Sequence, residues 1–274
     1  MRPGPILLAL ALLPVAIPAR DPDSRQAPAY SAASIVNLAS GRMADLAPNT
    51  LAVIYGDQLA STTRSRQDSD LQGVILPYVL SGTGVTVKVN GLLAGIEYVS
   101  PDAVVFIVPP ELDPGPALIV LTRNALNGPS VLTELKPTAP ALIPFENGRP
   151  LARAGSNLEW ITAARPLAPG DEVILYGTGL GPTIPPQTNR RVASAPAAIQ
   201  DALRIQLDGA DLDPRCLSYA GVSQGVAGIY EIRFTLPPFY QPDPEVRLFI
   251  GEQGTQPGLR LYTQPPPPPP RSIQ

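Results

Sequence analysis

No histidine occurs in the 274 residues, and that absence removes more chemistry than any motif adds. Without imidazole there is no Ser-His-Asp or Cys-His nucleophile, no side chain with an ordinary pKa near neutrality, and almost no route to a catalytic zinc site. Cysteine is reduced to Cys216, so no disulfide can form within the chain and the fold must stand on its packed core. Cys216 itself reads as a small buried core residue. Lysine is limited to Lys88 and Lys136. A Ser-Lys nucleophile would need one of them, yet Lys88 alternates with valines in a strand pattern and Lys136 sits between Leu135 and Pro137. Charged residues make up 16% and leave a net charge of −3 with no basic block, so the electrostatic footprint of a nucleic-acid-binding protein is missing. Aromatic residues, at 5%, are thin for a sugar-stacking cleft.

What the chain has in excess is proline, 36 residues of 274 against an average of about 5%. The prolines are spread along the sequence, which excludes long helices, because each costs about 3 kcal/mol in a helix interior. The apolar run from Ile6 to Ile17 follows Arg2 and is broken by Pro14. It has the length of a secretory h-region and is shorter than the roughly 20 apolar residues that span a bilayer. Residues 1–19 therefore read as a signal peptide and 20–32 as a linker, cleavage falling after Ala19 or near Ala27-Pro28-Ala29. No cysteine follows the run to carry a lipid anchor. No second apolar stretch is long enough for a membrane helix, so the mature chain is expected outside the cytoplasm without stable membrane insertion.

The organising feature is an internal repeat. Ala47-Pro48-Asn49-Thr50-Leu51-Ala52-Val53-Ile54-Tyr55-Gly56 is matched by Ala168-Pro169-Gly170-Asp171-Glu172-Val173-Ile174-Leu175-Tyr176-Gly177, an offset of 121 from 47 to 168 that persists to Leu59 and Leu180. Downstream, the run 85–89 followed by Asn90-Gly91 matches 203–207 followed by Asp208-Gly209, at an offset of 118. Both runs alternate in period 2 and end in a dipeptide suited to a tight hairpin with positive φ. The run 104–108 with Pro109-Pro110 matches 232–236 with Pro237-Pro238, at an offset of 128. Length changes thus fall between strands, as expected for two diverged copies of one sandwich. Strands are expected at 33–38, 51–56, 85–89, 93–99, 104–108, 117–122 and 130–135. In the second copy they are expected at 141–145, 172–176, 203–207, 215–219, 229–236, 245–250 and 259–262. Seven short strands per copy is an immunoglobulin-type count, although the Cys…Trp…Cys signature of antibody domains is missing and Trp160 falls in an extra hairpin over 151–161. The prediction is all-β: two tandem immunoglobulin-like β-sandwich domains over 33–139 and 140–264, then a proline-rich tail over 265–274.

With those residues in view the chain resembles a functionally uncharacterised family, the two-repeat domain at the C-terminus of many large secreted proteins of soil bacteria. The resemblance rests on Ile35-Val36-Asn37-Leu38-Ala39-Ser40, on Leu76-Pro77 leading into Gly84 to Gly91, and on Tyr98-Val99-Ser100-Pro101. In the second copy it rests on Ala168 to Pro182 and on Gly228-Ile229-Tyr230 running to Pro237. It covers residues 33 to 263, and each repeat is similar to the IPT/TIG immunoglobulin-like module. The resemblance implies an extracellular binding or spacer role, transfers no catalytic residue, and departs from the family in that the pair stands without a partner domain.

Candidate sites are few. Gly177-Thr178-Gly179-Leu180-Gly181-Pro182 looks like a phosphate loop, but such a loop must open a helix; Pro182, Pro185 and Pro186 forbid one, so a strand-ending turn is expected. Asp208, Asp211 and Asp213 cluster around a hairpin with oxygens suited to calcium, at a spacing unlike an EF-hand loop. Asp68 and Asp70 belong to a solvated loop. Pro265 to Pro270 should form a polyproline II rod of roughly 19 Å, read as a solvated spacer. No catalytic, cofactor-binding or metal-ligating residue is assigned, and no cofactor is expected. The sequence points to a secreted or cell-envelope, non-catalytic module that binds a protein or polysaccharide partner or acts as a spacer, with no nucleic-acid partner. The alternative is a carboxylate-based glycan hydrolase or an accessory carbohydrate-binding protein. The connections 57–83 and 182–201, equivalent in the two copies and the most variable in length, are the expected place for a binding face.

Overall fold

The computed structural model describes residues 26–238 and 240–264. The expected signal peptide and proline-rich tail lie outside the described residues. Among those described there is no α-helix; four 3-10 turns punctuate a set of antiparallel strands.

The first sandwich contains β1 (Ile35–Asn37), β2 (Leu51–Tyr55), β3 (Arg64–Ser65), β4 (Val85–Val89), β5 (Leu92–Leu93), β6 (Gly95–Val99), β7 (Ala103–Ile107), β8 (Gly115–Arg123), β9 (Leu126–Asn127) and β10 (Val131–Leu135). Its sheets run β1-β2-β7-β6-β3 and β10-β8-β4-β5, with β9 paired to β8. The second contains β11 (Ala141–Leu142), β12 (Ala152–Ala154), β13 (Glu172–Thr178), β14 (Thr183–Ile184), β15 (Ala198–Ile199), β16 (Leu203–Leu207), β17 (Ala210–Asp211), β18 (Leu217–Val222), β19 (Tyr230–Thr235), β20 (Val246–Ile250) and β21 (Gln253–Gly254). Its sheets run β11-β13-β19-β18-β15-β14, with β12 paired to β13, and β17-β16-β20-β21. Period-2 alternation decides what each face buries. Val85, Val87 and Val89 of β4 are fully buried with Ile54, Ile96, Phe106 and Ile119, while Lys88 points to solvent. In the second core Leu175, Ile205, Ile232, Phe234 and Leu248 do the same. Each such side chain contributes about 1.5–3 kcal/mol relative to exposure.

Strand pairing repeats with the sequence offsets. Leu51 pairs with Ile107 and Glu172 with Thr235; Val85 pairs with Arg123 and Leu203 with Ile250. The β6–β7 pair slips between Ile96 and Tyr98, and the β18–β19 pair slips between Leu217 and Tyr219, so a bulge recurs at the same position of each copy. Both hairpin dipeptides adopt positive φ, 47° and 83° at Asn90-Gly91 and 47° and 80° at Asp208-Gly209, the geometry of a two-residue turn matched to strand twist.

A third apolar cluster lies outside both cores. It joins Val53, Val105 and Ile107, on the outer face of the first sandwich, to Ile143, Ile174, Tyr176 and Ile229 of the second. Polar groups cross the same junction. Asn49 Nδ2 donates to Tyr230 Oη at 3.0 Å, and Tyr230 Oη donates to the Gly181 carbonyl at 2.6 Å. The Leu51 amide donates to Thr178 Oγ1 at 2.8 Å, which donates to the Gly228 carbonyl at 2.7 Å. Each of the two long connections sends a segment into this junction, Leu71 and Leu76 from the first and Val192 from the second. The Leu76 amide donates to the Arg190 carbonyl at 2.7 Å and the Val192 amide to the Val74 carbonyl at 2.8 Å, so the connections pair backbone to backbone. Asn189 Nδ2 adds a bond to the Leu93 carbonyl at 2.9 Å. The pairing is confined to 74–76 and 190–192, and more than half of the residues of each connection are exposed.

Two corrections follow from local geometry. Cys216 is half-buried, not a core residue, because Asp213 caps a 3-10 turn over Pro214–Cys216 and holds it at the sandwich edge before β18 begins. Residues 259–262 form no strand, only a bridge between Glu245 and Arg260.

Candidate functional site

The glycine-rich run opens no helix. The Ala139 amide donates to the Gly179 carbonyl at 2.8 Å. Gly179 has φ +73°, and a Cβ there would lie 2.2 Å from the Ala139 carbonyl oxygen. Glycine is needed because the segment linking the sandwiches lies directly against it. The acidic trio is dispersed into separate pairs: Asp211 with Arg204 at 2.9 Å, Asp213 with Arg215 at 2.7 Å, and Asp208 with Arg260 at 3.5 Å. Hydrogen bonds from Gln206 and Arg204 hold the Asp211 carboxyl below its ordinary range, and bonds from Arg215 do so for Asp213. Among the described residues no group of three or more Cys, Asp or Glu is placed to hold a metal ion. Asp70 is tied to Arg64, and Asp68 lies 3.6 Å from Arg66. Lys136 pairs with Asp45 at 2.9 Å.

The feature that sequence reasoning missed is a cleft of about 630 Å³ on the outer face of β13, β18 and β19. Outward positions on these strands bring Glu172, Ile174 and Tyr176 beside Glu231 and Arg233, with Ser218 and Tyr219 from β18. The β12 hairpin adds Arg153 and Leu158, and the segment after β18 adds Gln224, Gly225 and Val226. Pairing of β12 to β13, Arg153 opposite Ile174, sets that hairpin as one wall.

Two glycines make room for the functional side chains. A Cβ on Gly221 would lie 2.4 Å from Tyr219 Oη and 2.7 Å from its Cζ, so the phenol end rests on the bare backbone of Gly221. Tyr219 Oη donates to the Val222 carbonyl at 3.0 Å, fixing the ring there. A Cβ on Gly155 would meet the Glu172 carboxylate. Ser218 Oγ donates to Glu172 Oε1 at 3.2 Å. Glu231 is held at both oxygens, Oε1 by Ser223 Oγ at 2.7 Å and Oε2 by Arg233 Nη2 at 2.6 Å. Arg153 stacks on Trp160, 4.0 Å from the ring centroid, and its Nε is buried without a hydrogen-bond partner. Trp160 in turn packs at 6.2 Å and 59° against Tyr176. Burial raises the Tyr176 phenol, with Glu231 adding to the effect, and burial raises Tyr219 as well; both remain hydrogen-bond donors at neutral pH.

The signal that reveals the cleft is a comparison of the two copies. On the outer face of β2 and β7 the first copy carries Leu51, Val53, Tyr55, Ala103, Val105 and Ile107. By the repeat offsets the second carries Glu172, Ile174, Tyr176, Glu231, Arg233 and Thr235. Four of six apolar positions have become polar. In the first copy the face is covered by the junction except at Tyr55, which is exposed. In the second, Ile174 and Tyr176 are buried in that same junction cluster, and Glu172, Glu231 and Arg233 line the cleft beside them.

No protein-family model matches the chain, and no curated protein matches it. Among solved structures it is similar over 86% of its length to the surface glycan-binding protein PbSGBP-B of Prevotella bryantii, at 12% identity and a TM-score of 0.28, spanning 42% of that chain. It is similar over 87% to SGBP-B from a xyloglucan utilization locus of Bacteroides uniformis, at 12% identity and 0.25, spanning 50%. It is also similar over 87% to the plexin A4 extracellular region, at 12% and 0.28, spanning 16%. The chain therefore spans half or less of each. Likeness of this degree carries no argument about ligand or reaction.

Proposed function

We propose that the chain is an extracytoplasmic, non-catalytic interaction module whose second sandwich presents the β13–β18–β19 cleft to a glycan or protein partner, with the first sandwich as its support. The observation that carries this reading is the divergence of one equivalent face between the copies, which in the second places Glu172, Glu231 and Arg233 in a cleft beside Tyr219 where the first has Leu51, Ala103 and Val105 covered by the junction. Concave clefts with an apolar floor and a few fixed polar groups are the usual shape of binding sites. The export signal expected over residues 1–19 and the resemblance to the two-repeat secreted domain support an extracytoplasmic setting. No helix among the described residues is long and apolar enough to cross a membrane. The net charge of −3 speaks against a nucleic-acid partner.

A hydrolase reading is favoured by one observation, that Glu172 and Glu231 share the cleft. Glycoside hydrolysis needs one carboxyl free to give a proton and a second free to attack or activate water. Glu231 has both oxygens engaged by Ser223 and Arg233, which suits it to shape the wall. The test is a pull-down from native envelope extract with the full chain as bait, beside a glycan array and an assay for new reducing ends. Capture or array binding that is lost in Tyr219→Ala, without reducing ends, supports the reading. Release of reducing ends that stops in Glu172→Gln replaces it with the hydrolase.

A further inference from the structure

We infer that the cleft takes an uncharged, hydroxyl-rich ligand, a short stretch of a neutral glycan chain, and not a phosphorylated, sulfated or cationic one. This rests on the cleft being the binding site and adds the chemistry of its occupant. Charge at the cleft is balanced. The lining carries two guanidinium groups, Arg153 and Arg233, and two carboxylates, Glu172 and Glu231. Arg233 is matched by Glu231 at 2.6 Å, so an anion drawn to it meets a carboxylate, and a cation drawn to Glu231 meets a guanidinium. Unlike charges so interleaved reject both kinds of ion. A polyol is indifferent to that balance and uses both halves, its hydroxyls donating to carboxylates and accepting from guanidinium N–H.

Shape points the same way as charge. Tyr219 is laid along the sheet over Gly221, and Leu158 and Val226 share the lining with it above the buried Ile174 and Tyr176. This gives an apolar platform with polar groups at its margin, as the two faces of a sugar ring require. Arg153, stacked on Trp160 at 4.0 Å, stands on the wall beside that platform. The cleft volume of about 630 Å³ falls within the roughly 300–1,000 Å³ of small-ligand sites. A stable protein interface instead spreads over about 800 Å² per partner.

The experiment is affinity electrophoresis and calorimetry of the full chain against neutral polysaccharides (xylan, galactomannan, mixed-linkage glucan, starch) and charged ones (polygalacturonate, dextran sulfate, chitosan). The expected result is binding to a neutral polysaccharide that changes by less than about twofold between roughly 50 and 500 mM salt. Tyr219→Ala and Arg153→Ala should each weaken it by about tenfold, and Tyr219→Phe by no more than about threefold. Arg153→Ala carries the test alone if Tyr219→Ala fails to fold. Binding confined to charged polysaccharides and lost with salt overturns the ligand class and leaves the cleft as the site. Neutral binding untouched by both variants overturns the cleft itself. Failure to bind any of these polysaccharides overturns the glycan assignment, and if a Tyr219-dependent protein partner is then captured, the broader interaction reading survives it.

Discussion

Tyr230→Phe removes one oxygen atom and tests whether the two sandwiches share their stability. The side chain is fully buried at the start of β19. Its hydroxyl accepts from Asn49 Nδ2 of the first sandwich at 3.0 Å and donates to the Gly181 carbonyl of the second at 2.6 Å. Burial pushes the phenol far above its ordinary range, the Asn49 bond opposing only in part, so it is neutral at any working pH. Phenylalanine keeps the ring packing and leaves a buried donor and a buried acceptor unmatched, each costing about 1–3 kcal/mol. Some relaxation at Asn49, which is 7% exposed, lowers the sum, and the expected loss is about 2–4 kcal/mol. Urea denaturation followed by fluorescence and by far-ultraviolet circular dichroism measures it. The wild-type chain should unfold in one transition, shifted as a whole in the variant, and Asn49→Ala should be non-additive with Tyr230→Phe by about 1 kcal/mol or more. A loss below about 0.5 kcal/mol, or two transitions of which only one moves, would mean that the sandwiches do not share their stability through this hydroxyl.

Gly179→Ala should cost more than about 2 kcal/mol, since φ is +73° and the Ala139 carbonyl occupies the space, whereas Gly209→Ala, with φ +80° and open space, should cost about 1 kcal/mol; thermal denaturation separates them. Asp243 is opposed by desolvation, but the Thr263 amide and the Arg149 guanidinium outweigh it and hold the carboxyl below its ordinary value. Its contribution to stability is present above the ordinary carboxylate pKa and lost as pH falls through the lowered one. Asp243→Asn should therefore destabilise at pH 7, and the difference from the wild type should shrink as pH falls below the ordinary carboxylate range, as a pH series of denaturation curves will show. Limited proteolysis should nick the exposed tip at 156–159 of the β12 hairpin, and the fragments should co-elute on gel filtration because the junction cluster holds them. With each member of the Asp208, Asp211 and Asp213 trio engaged by its own arginine, millimolar calcium against EDTA should leave the melting temperature unchanged.

The parts legible in the sequence are those governed by local rules. Alternation placed the strands, Asn90-Gly91 and Asp208-Gly209 placed the hairpins, and the offsets of 121 and 128 matched strands between the copies, which the structure then pairs equivalently, Leu51 with Ile107 and Glu172 with Thr235. What stayed hidden depends on long-range contact. Nothing local in 57–83 or 182–201 announces that Leu76 and Arg190 will share a backbone hydrogen bond, since variable, polar connections look alike whether solvated or paired. The glycines of 177–181 were readable as a turn, but the reason for Gly179 is Ala139, some forty positions earlier. The cleft was partly within reach. Aligning outward positions of β13 and β19 with β2 and β7 marks Glu172, Glu231 and Arg233 as departures, whereas a 5% aromatic content says nothing of Trp160, Tyr176 and Tyr219 being gathered together.

Everything proposed for function places the partner on the outer face of β13, β18 and β19. Hydrogen exchange of the full chain, with and without saturating amounts of the best-binding neutral polysaccharide or captured envelope partner, tests it most directly. The account predicts added protection in the peptides covering 153–158, 172–176, 218–226 and 231–233, with the first sandwich unchanged. Protection confined to the exposed Leu118 and Leu132 face of β8 and β10, or to the hairpin at Asp208, would contradict it.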